Sequence, residues 1–159
     1  MDAQIAGVVF SPPVLALLGL CIGSFLNVVI HRLPRMLERG WKLDSAEMLG
    51  VKIDEPPVLT LSTPASRCPA CGHAIAWHEN IPVLSWLRLG GRCSACRTRI
   101  SARYPAIELL TAALFFAVAW RFGDEPPTLL WCAFAATLVA LAGIDWDTTL
   151  LPDLSLIHI

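Results

Sequence analysis

The sequence contains few charged residues, and almost none of its basic residues lies outside one segment. Asp, Glu, Lys and Arg make up 16% of the 159 residues and hydrophobic residues make up 55%, while the mean hydropathy is +0.60. These values exclude an ordinary soluble domain and are typical of an integral membrane protein, so the first predicted partner is the lipid bilayer. The net charge of −1 gives no indication of nucleic-acid binding, and we expect none.

Two features of a secretory signal peptide are missing from the N-terminal apolar run. No basic residue precedes it, and no convincing small-residue cleavage site ends it. We therefore interpret residues 1–31 as a retained first transmembrane helix that ends at His31 and Arg32. Two further apolar runs, Tyr104–Trp120 and Pro126–Ile144, predict two more spans joined by a short turn rich in helix-breaking residues.

The basic residues indicate the orientation of these spans. Of the 12 Lys and Arg residues, 11 lie between Arg32 and Arg103, together with six acidic residues, so this segment has a net charge of +5. Because positively charged loops stay on the cytoplasmic side, we expect residues 32–103 to be cytoplasmic. Within this loop, residues 38–66 are predicted to be an irregular insertion with a short helix around Asp44–Leu49.

Four cysteines lie in this loop as two Cys-x-x-Cys pairs. Cys68 and Cys71 form the first pair, and Cys93 and Cys96 form the second, with 21 residues between the pairs. Four thiolates at this spacing are the ligands of a structural Zn²⁺ ion, although two disulfides or unpaired thiols are alternatives. His73 could replace one sulfur, as could His78. The predicted fold class is therefore all-α, with polytopic membrane helices and a small cytoplasmic zinc-knuckle loop.

An acidic residue at the end of an apolar helix is a candidate functional residue. Asp145 follows 19 uncharged residues (126–144), and Asp147 and Asp153 lie further along the chain. On a continuous helix, Asp145 and Asp147 would point in nearly opposite directions, because residues two apart differ by about 200°. A solvated helix end is the alternative interpretation. Glu108, inside the second span, could bind a substrate amine or pair with Arg103.

Several segments of the chain resemble the type IV prepilin leader peptidases, in the same order as in that family. The resemblance extends over residues 23–153 and is carried by Gly23-Ser-Phe-Leu-Asn-Val-Val-Ile-His-Arg-Leu-Pro-Arg-Met36, Cys68-Pro-Ala-Cys71-Gly-His, Glu79-Asn-Ile-Pro82, Gly90-Gly-Arg-Cys93-Ser-Ala-Cys96, Arg103-Tyr-Pro-Ala-Ile-Glu108-Leu and Ile144-Asp-Trp-Asp-Thr-Thr-Leu-Leu-Pro-Asp153.

The resemblance implies a bifunctional enzyme of the bacterial inner membrane. Such an enzyme removes the basic leader from prepilin and pseudopilin precursors and then N-methylates the new N-terminal residue with S-adenosyl-L-methionine. It implies an aspartic endopeptidase mechanism with two carboxylates, of which Asp145 matches the first and Asp147 is the alternative. Gly91, in the only paired glycine of the chain, is the candidate cofactor-binding residue.

The sequence departs from the family pattern in one respect. The second catalytic aspartate of the family lies in a Gly-x-Gly-Asp motif, which is absent from these 159 residues. We therefore expect three functional regions, namely the first transmembrane helix (1–31), the methyltransferase-associated zinc-knuckle loop (32–103) and two helices that begin the peptidase domain (104–153). Residues 154–159 are expected to be an artificial or truncated tail, and the chain alone is expected to be inactive as a peptidase.

A function of a different class is also compatible with part of the sequence. A non-catalytic membrane adaptor could use the zinc knuckle to bind a cytoplasmic partner, with Asp145 as a simple helix end. This hypothesis accounts for the cysteines and the basic loop. It gives no reason for residues 23–36 to match a peptidase signature.

Overall fold

A computed structural model of the chain describes residues 7–54, 58–123, 125 and 127–149. Within this part, the helices are α1 (Pro12–Leu49), α2 (Leu84–Arg88), α3 (Arg103–Phe122) and α4 (Pro127–Thr148), with one 3-10 turn at Trp77–Glu79. The described residues contain no strand and only two isolated β-bridges. Three of the helices, α1, α3 and α4, are long and apolar enough to cross a membrane. The predicted all-α fold with several membrane helices is thereby confirmed.

Helix α1 is much longer than the sequence indicated. Its 38 residues span about 57 Å, whereas the hydrocarbon core of a bilayer is about 30 Å thick. The prediction that the helix ends at His31 and Arg32 is wrong, and so is the prediction of an irregular chain over residues 38–43. The short helix predicted around Asp44–Leu49 is helical, but it is the last part of α1. The helix ends at Gly50, where a φ of +64° lets the backbone turn and its N–H donates to the Glu47 carbonyl.

Two glycines let α1 approach the backbone of α3. A Cβ atom on Gly19 would lie 2.7 Å from the Ala112 Cα, and one on Gly23 would lie 2.7 Å from the Glu108 Cα. Gly19 and Gly23 are four residues apart in α1, and Glu108 and Ala112 are four residues apart in α3, so each pair lies on one face of its helix. This Gly-x-x-x-Gly arrangement is a common basis of helix packing in membranes, where close van der Waals contact replaces the hydrophobic driving force.

Helix α4 completes the bundle by packing against both other membrane helices. Its Cys132 belongs to a buried cluster with Leu15 of α1 and Phe115 of α3. At the opposite end of α4, a Cβ atom on Gly143 would meet the Ile30 side chain of α1. The backbone of α4 at Gly143 therefore lies against α1. This contact sets the position of the residues that follow, including Asp145 and Asp147. Asp153 lies outside the described residues.

Replacing Gly23 by alanine is expected to destabilise the bundle by about 1–3 kcal/mol, because the added methyl group can be accommodated only if two helix backbones separate. Gly40 is the matched control, since it lies in the same helix with nothing within 4 Å of its Cβ position. Gly40→Ala should instead stabilise α1 by up to about 1 kcal/mol through helix propensity. Thermal unfolding in detergent, followed by circular dichroism, measures both changes. Equal effects of the two substitutions would contradict the close contact.

Candidate metal centre and carboxylate site

The four cysteines of the loop converge on one point. Their Sγ atoms all lie within 4.8 Å of one another, and those of Cys68 and Cys96 are 3.7 Å apart. A tetrahedral site with Zn–S bonds of about 2.3 Å has sulfur–sulfur distances of about 3.8 Å. All of the cysteines are free thiols, so the disulfide alternative is not realised. The residues fit a Zn²⁺ ion, which, when bound, would supply a structural cross-link with no open coordination position.

The two Cys-x-x-Cys segments form the same backbone turn. The Cys68 N–H donates to the His73 carbonyl at 2.9 Å, and the Cys93 N–H donates to the Thr98 carbonyl at 2.9 Å. One isolated β-bridge closes each turn, Arg67 with Ala74 in the first and Arg92 with Arg99 in the second. Each turn therefore presents its thiols from a rigid frame.

The two turns differ at one position that needs a left-handed backbone. Gly72 occupies it in the first turn with a φ of +72°, and Arg97 occupies it in the second with a φ of +61°. Glycine adopts this conformation without a steric penalty, whereas a residue with a side chain does not. The second turn is therefore strained at Arg97.

The two histidines near the first cysteine pair are not part of the thiol cluster. His73 Nε2 lies 3.4 Å from Glu79 Oε2, and His78 packs edge-on against Trp77. The Ser94 hydroxyl, the Ala76 N–H and His73 together lower the pKa of Glu79 to about 2. Because Ser94 belongs to the second turn, Glu79 links the two turns as an ionised carboxylate.

Gly91 has a packing role in this structure. It is buried, its φ is +66°, and a Cβ atom there would lie 2.9 Å from the Trp86 ring. The Trp86 carbonyl accepts the Gly91 N–H at 2.8 Å, and the Trp86 indole donates to the Ile100 carbonyl at 3.3 Å. Glycine is thus required here by the turn and by the ring above it. Its predicted role in cofactor binding stays a prediction.

Glu108 joins the loop to the membrane helices and does not pair with Arg103. Its Oε2 accepts the Val83 N–H at 2.7 Å, and it also accepts the Ser24 hydroxyl of α1. The side chain is buried, with 7% of the residue exposed. Val83 has a φ of +58°, which is unusual for a β-branched residue and is maintained here by its bond to Glu108. Of the two alternatives given for Glu108, the pairing with Arg103 is therefore wrong, and binding of a substrate amine stays a prediction.

Arg103 instead holds the end of α4. Its guanidinium forms an ion pair with Asp147 and donates to the Gly143 carbonyl at 3.2 Å. The pair lines a cavity of about 170 Å³ between α1, α3 and α4. Because this cavity has room for water, the pair is partly solvated and its contribution to stability is modest.

Asp145 lies on the other side of α4 from this ion pair. It is exposed, whereas its neighbour Ile144 is 1% exposed and faces the bundle. Within the part of the chain that the structure describes, the Asp145 carboxylate has no side-chain partner. The prediction that Asp145 and Asp147 point in different directions on one helix agrees with the continuous helix through Thr148.

Arg32 is a structural residue that the sequence analysis missed. Its guanidinium, in α1, donates to the carbonyls of Thr60 at 2.9 Å, Leu61 at 3.3 Å and Pro64 at 2.7 Å. Only 9% of the residue is exposed. The Arg32 side chain therefore fastens the loop to α1 through neutral acceptors. The sequence could not reveal this role of Arg32, because backbone carbonyl acceptors leave no recognisable pattern in a sequence.

Comparison with known proteins places this arrangement in a family. The model of the bacterial peptidase A24 N-terminal domain matches residues 17–122, so it covers most of α1, the cysteine loop and α3. The chain belongs to this family.

Curated relatives carry a more particular name, prepilin leader peptidase/N-methyltransferase. The chain is 52% identical to the protein of that name from Pseudomonas putida, over 86% of this chain and 47% of the relative. It is 48% identical to the one from Neisseria gonorrhoeae, over 91% of this chain and 51% of the relative. The chain thus spans about half the length of the curated relatives it matches. No solved structure matches the chain.

The purified chain is expected to contain one zinc ion, and Cys93→Ser is expected to remove it, because a structural site needs all four thiolates. Because protons compete with zinc for the four thiolates, zinc should be retained at neutral pH and released on acidification. Elemental analysis across a pH series measures both effects. Cys21→Ser, in α1, is the matched control and should keep its zinc. Loss of zinc from this control, or its retention in Cys93→Ser, would contradict the site.

Removing glycine from the first cysteine turn and introducing it into the second should have different effects on zinc affinity. Gly72→Ala is expected to weaken zinc binding by about 1 kcal/mol, roughly fivefold, because alanine resists the left-handed conformation. Arg97→Gly relieves the same strain in the second turn, so zinc affinity should stay unchanged or rise slightly. Competition with a chromophoric chelator measures both affinities. Weaker binding in both variants would show that Arg97 is needed for more than its backbone.

Proposed function

We propose that the protein containing this chain is a membrane-bound prepilin peptidase and N-methyltransferase. It removes the basic leader from type IV prepilin and pseudopilin precursors at the cytoplasmic face of the bacterial inner membrane and then methylates the new N-terminal residue. Membership of the peptidase family and the names of relatives that match 86–91% of this chain support the proposal. The enzyme names of these relatives give no support to the adaptor hypothesis, which is not carried further.

Asp145 is the carboxylate that we assign to the peptidase reaction. The observation that carries this choice is the ion pair between Arg103 and Asp147, because a carboxylate held by a guanidinium is already engaged and is fixed in orientation. Asp145 has no such partner and is exposed. In an aspartic mechanism, one carboxylate takes a proton from the attacking water while a second, protonated one donates to the scissile carbonyl. No metal takes part in that step.

The second carboxylate must come from a different part of the full-length protein. The face of α4 that carries Asp145 points away from α1 and α3, and the Gly-x-Gly-Asp motif is absent from these 159 residues. The relatives are about twice as long as the region they share with this chain. We therefore propose that this chain alone does not cleave prepilins, and that Asp145 faces helices supplied by further sequence.

The methyl-transfer half of the proposal assigns S-adenosyl-L-methionine as the methyl donor. The cysteine loop would form part of that region, with Gly91 as a candidate contact in addition to its place under Trp86. The zinc ion would keep the two cysteine turns together, and its four thiolates leave no position for substrate. Its role in this proposal is structural.

Asp145→Asn in the full-length protein, including any sequence after residue 159, is expected to reduce prepilin cleavage roughly 10²–10⁴-fold, the usual contribution of a general acid or base. Cleavage of a purified prepilin in membranes measures the change. Asp147→Asn is the matched control, and it should reduce cleavage much less, because it removes only the ion pair with Arg103.

Zinc content and expression level provide the folding controls for these variants. Arg103→Gln should have the same small effect as Asp147→Asn, and the double variant should be no worse than either, since both changes break one interaction. Full activity of Asp145→Asn with loss of activity in Asp147→Asn would reverse the assignment.

A further inference from the structure

The segment between the two cysteine pairs is attached at the depth of the membrane helices. The Val83 N–H donates to Glu108 at 2.7 Å, and Glu108 lies five residues after Arg103, the first residue of α3. At 1.5 Å per residue, Glu108 is about 7.5 Å further along the membrane-crossing helix than its polar start. The backbone at Val83 is therefore held within the interfacial region, and not in the water beyond it.

This attached segment exposes large apolar side chains. Leu84 is 65% exposed and Leu87 is 60% exposed. They are three residues apart on α2, so they lie on the same face of this short helix. The opposite face is occupied, because Trp86 packs on Gly91 in the second cysteine turn. The apolar face of α2 therefore points outward and is not covered by any described residue.

Charge supports a lipid environment for the segment. Residues 80–87 (Asn-Ile-Pro-Val-Leu-Ser-Trp-Leu) contain no charged residue, and Arg88 follows them directly. An apolar surface beside a cationic residue is typical of segments that lie in the interface, with the apolar side chains toward the acyl chains and the cation at the headgroups. The segment is also tied to the membrane-crossing α3 by the bond between Val83 and Glu108.

We propose that residues 81–87 form an interfacial membrane anchor, with Leu84 and Leu87 inserted among the lipids next to α3. The anchor holds the cysteine turns against the bilayer surface through the Trp86 contact with Gly91. This inference does not depend on the proposed enzymatic function. The partner is the bilayer itself, and a second protein covering the same face is the alternative that the experiment must separate.

Another exposed apolar residue provides a control, because it is far from the membrane. Met48 is 88% exposed and lies near the end of α1, 18 residues after Ile30. At 1.5 Å per residue this is about 27 Å along the helix axis. If solvent exposure alone decided contact with lipid, Met48 would contact lipid as readily as Leu84 and Leu87. If position in the interface decides it, only Leu84 and Leu87 should contact lipid.

The test is photocrosslinking from single benzoylphenylalanine residues at positions 84, 87 and 48. The full-length protein, including any sequence after residue 159, is reconstituted in vesicles of phosphatidylethanolamine and phosphatidylglycerol, irradiated, and analysed by mass spectrometry for lipid adducts. Because interfacial segments are buried about 5–10 Å into the headgroup and acyl boundary, positions 84 and 87 should give roughly tenfold more lipid adduct than position 48. Zinc content confirms that each variant is folded, and a folded variant at either 84 or 87 suffices.

Two outcomes would overturn the anchor. The first is a yield of lipid adduct at 84 and 87 no higher than at 48, which would place the α2 face in water. The second is a dominant adduct with another protein chain at 84 and 87, which would make this face a protein interface.

Discussion

The contact between the backbones of α1 and α3 at Gly19 and Gly23 determines where the polar groups of this protein can meet. It fixes the position of α1 along the axis of α3, because the two backbones approach each other with no side chain in between. Glu108 then lies directly beside Gly23 and can accept the Ser24 hydroxyl, and one turn further Asn27 donates to the Tyr104 carbonyl at 3.1 Å. A shift of one residue along the helix would separate all of these partners.

Three polar side chains near the membrane surface use this fixed register to join segments that are distant in sequence. Glu108 holds the backbone of the cysteine loop, Arg103 holds the end of α4, and Arg32 holds residues 60–64. Glu108 and Arg32 are buried, and in such a region of low dielectric their hydrogen bonds are strong and a partner left unsatisfied is costly. Arg103 is partly solvated, so its bonds contribute less. The loop and the helices are therefore connected by a few directional bonds and not by a continuous apolar core.

The sequence predicted the features that depend on residues close together in the chain. The Cys-x-x-Cys spacing predicted the thiol cluster, and the helical period predicted that Asp145 and Asp147 diverge. The length of α1 was missed because the apolar run ends at His31 and Arg32, although the helix continues past them and through Pro34. The partners of Arg103 and Glu108 were missed because they depend on how the helices rotate against each other, which a single sequence does not encode locally.

The anchored Val83 lies inside the loop that the two cysteine pairs enclose. A metal ion held by the four thiolates would close this loop into a ring, and closing it restricts the conformations of all the residues between the pairs. Without the ion, the bond between Val83 and Glu108 and the contacts of Glu79 and Trp86 would have to order the same stretch of chain. Metal supply would thus set the entropic cost of keeping this loop in place.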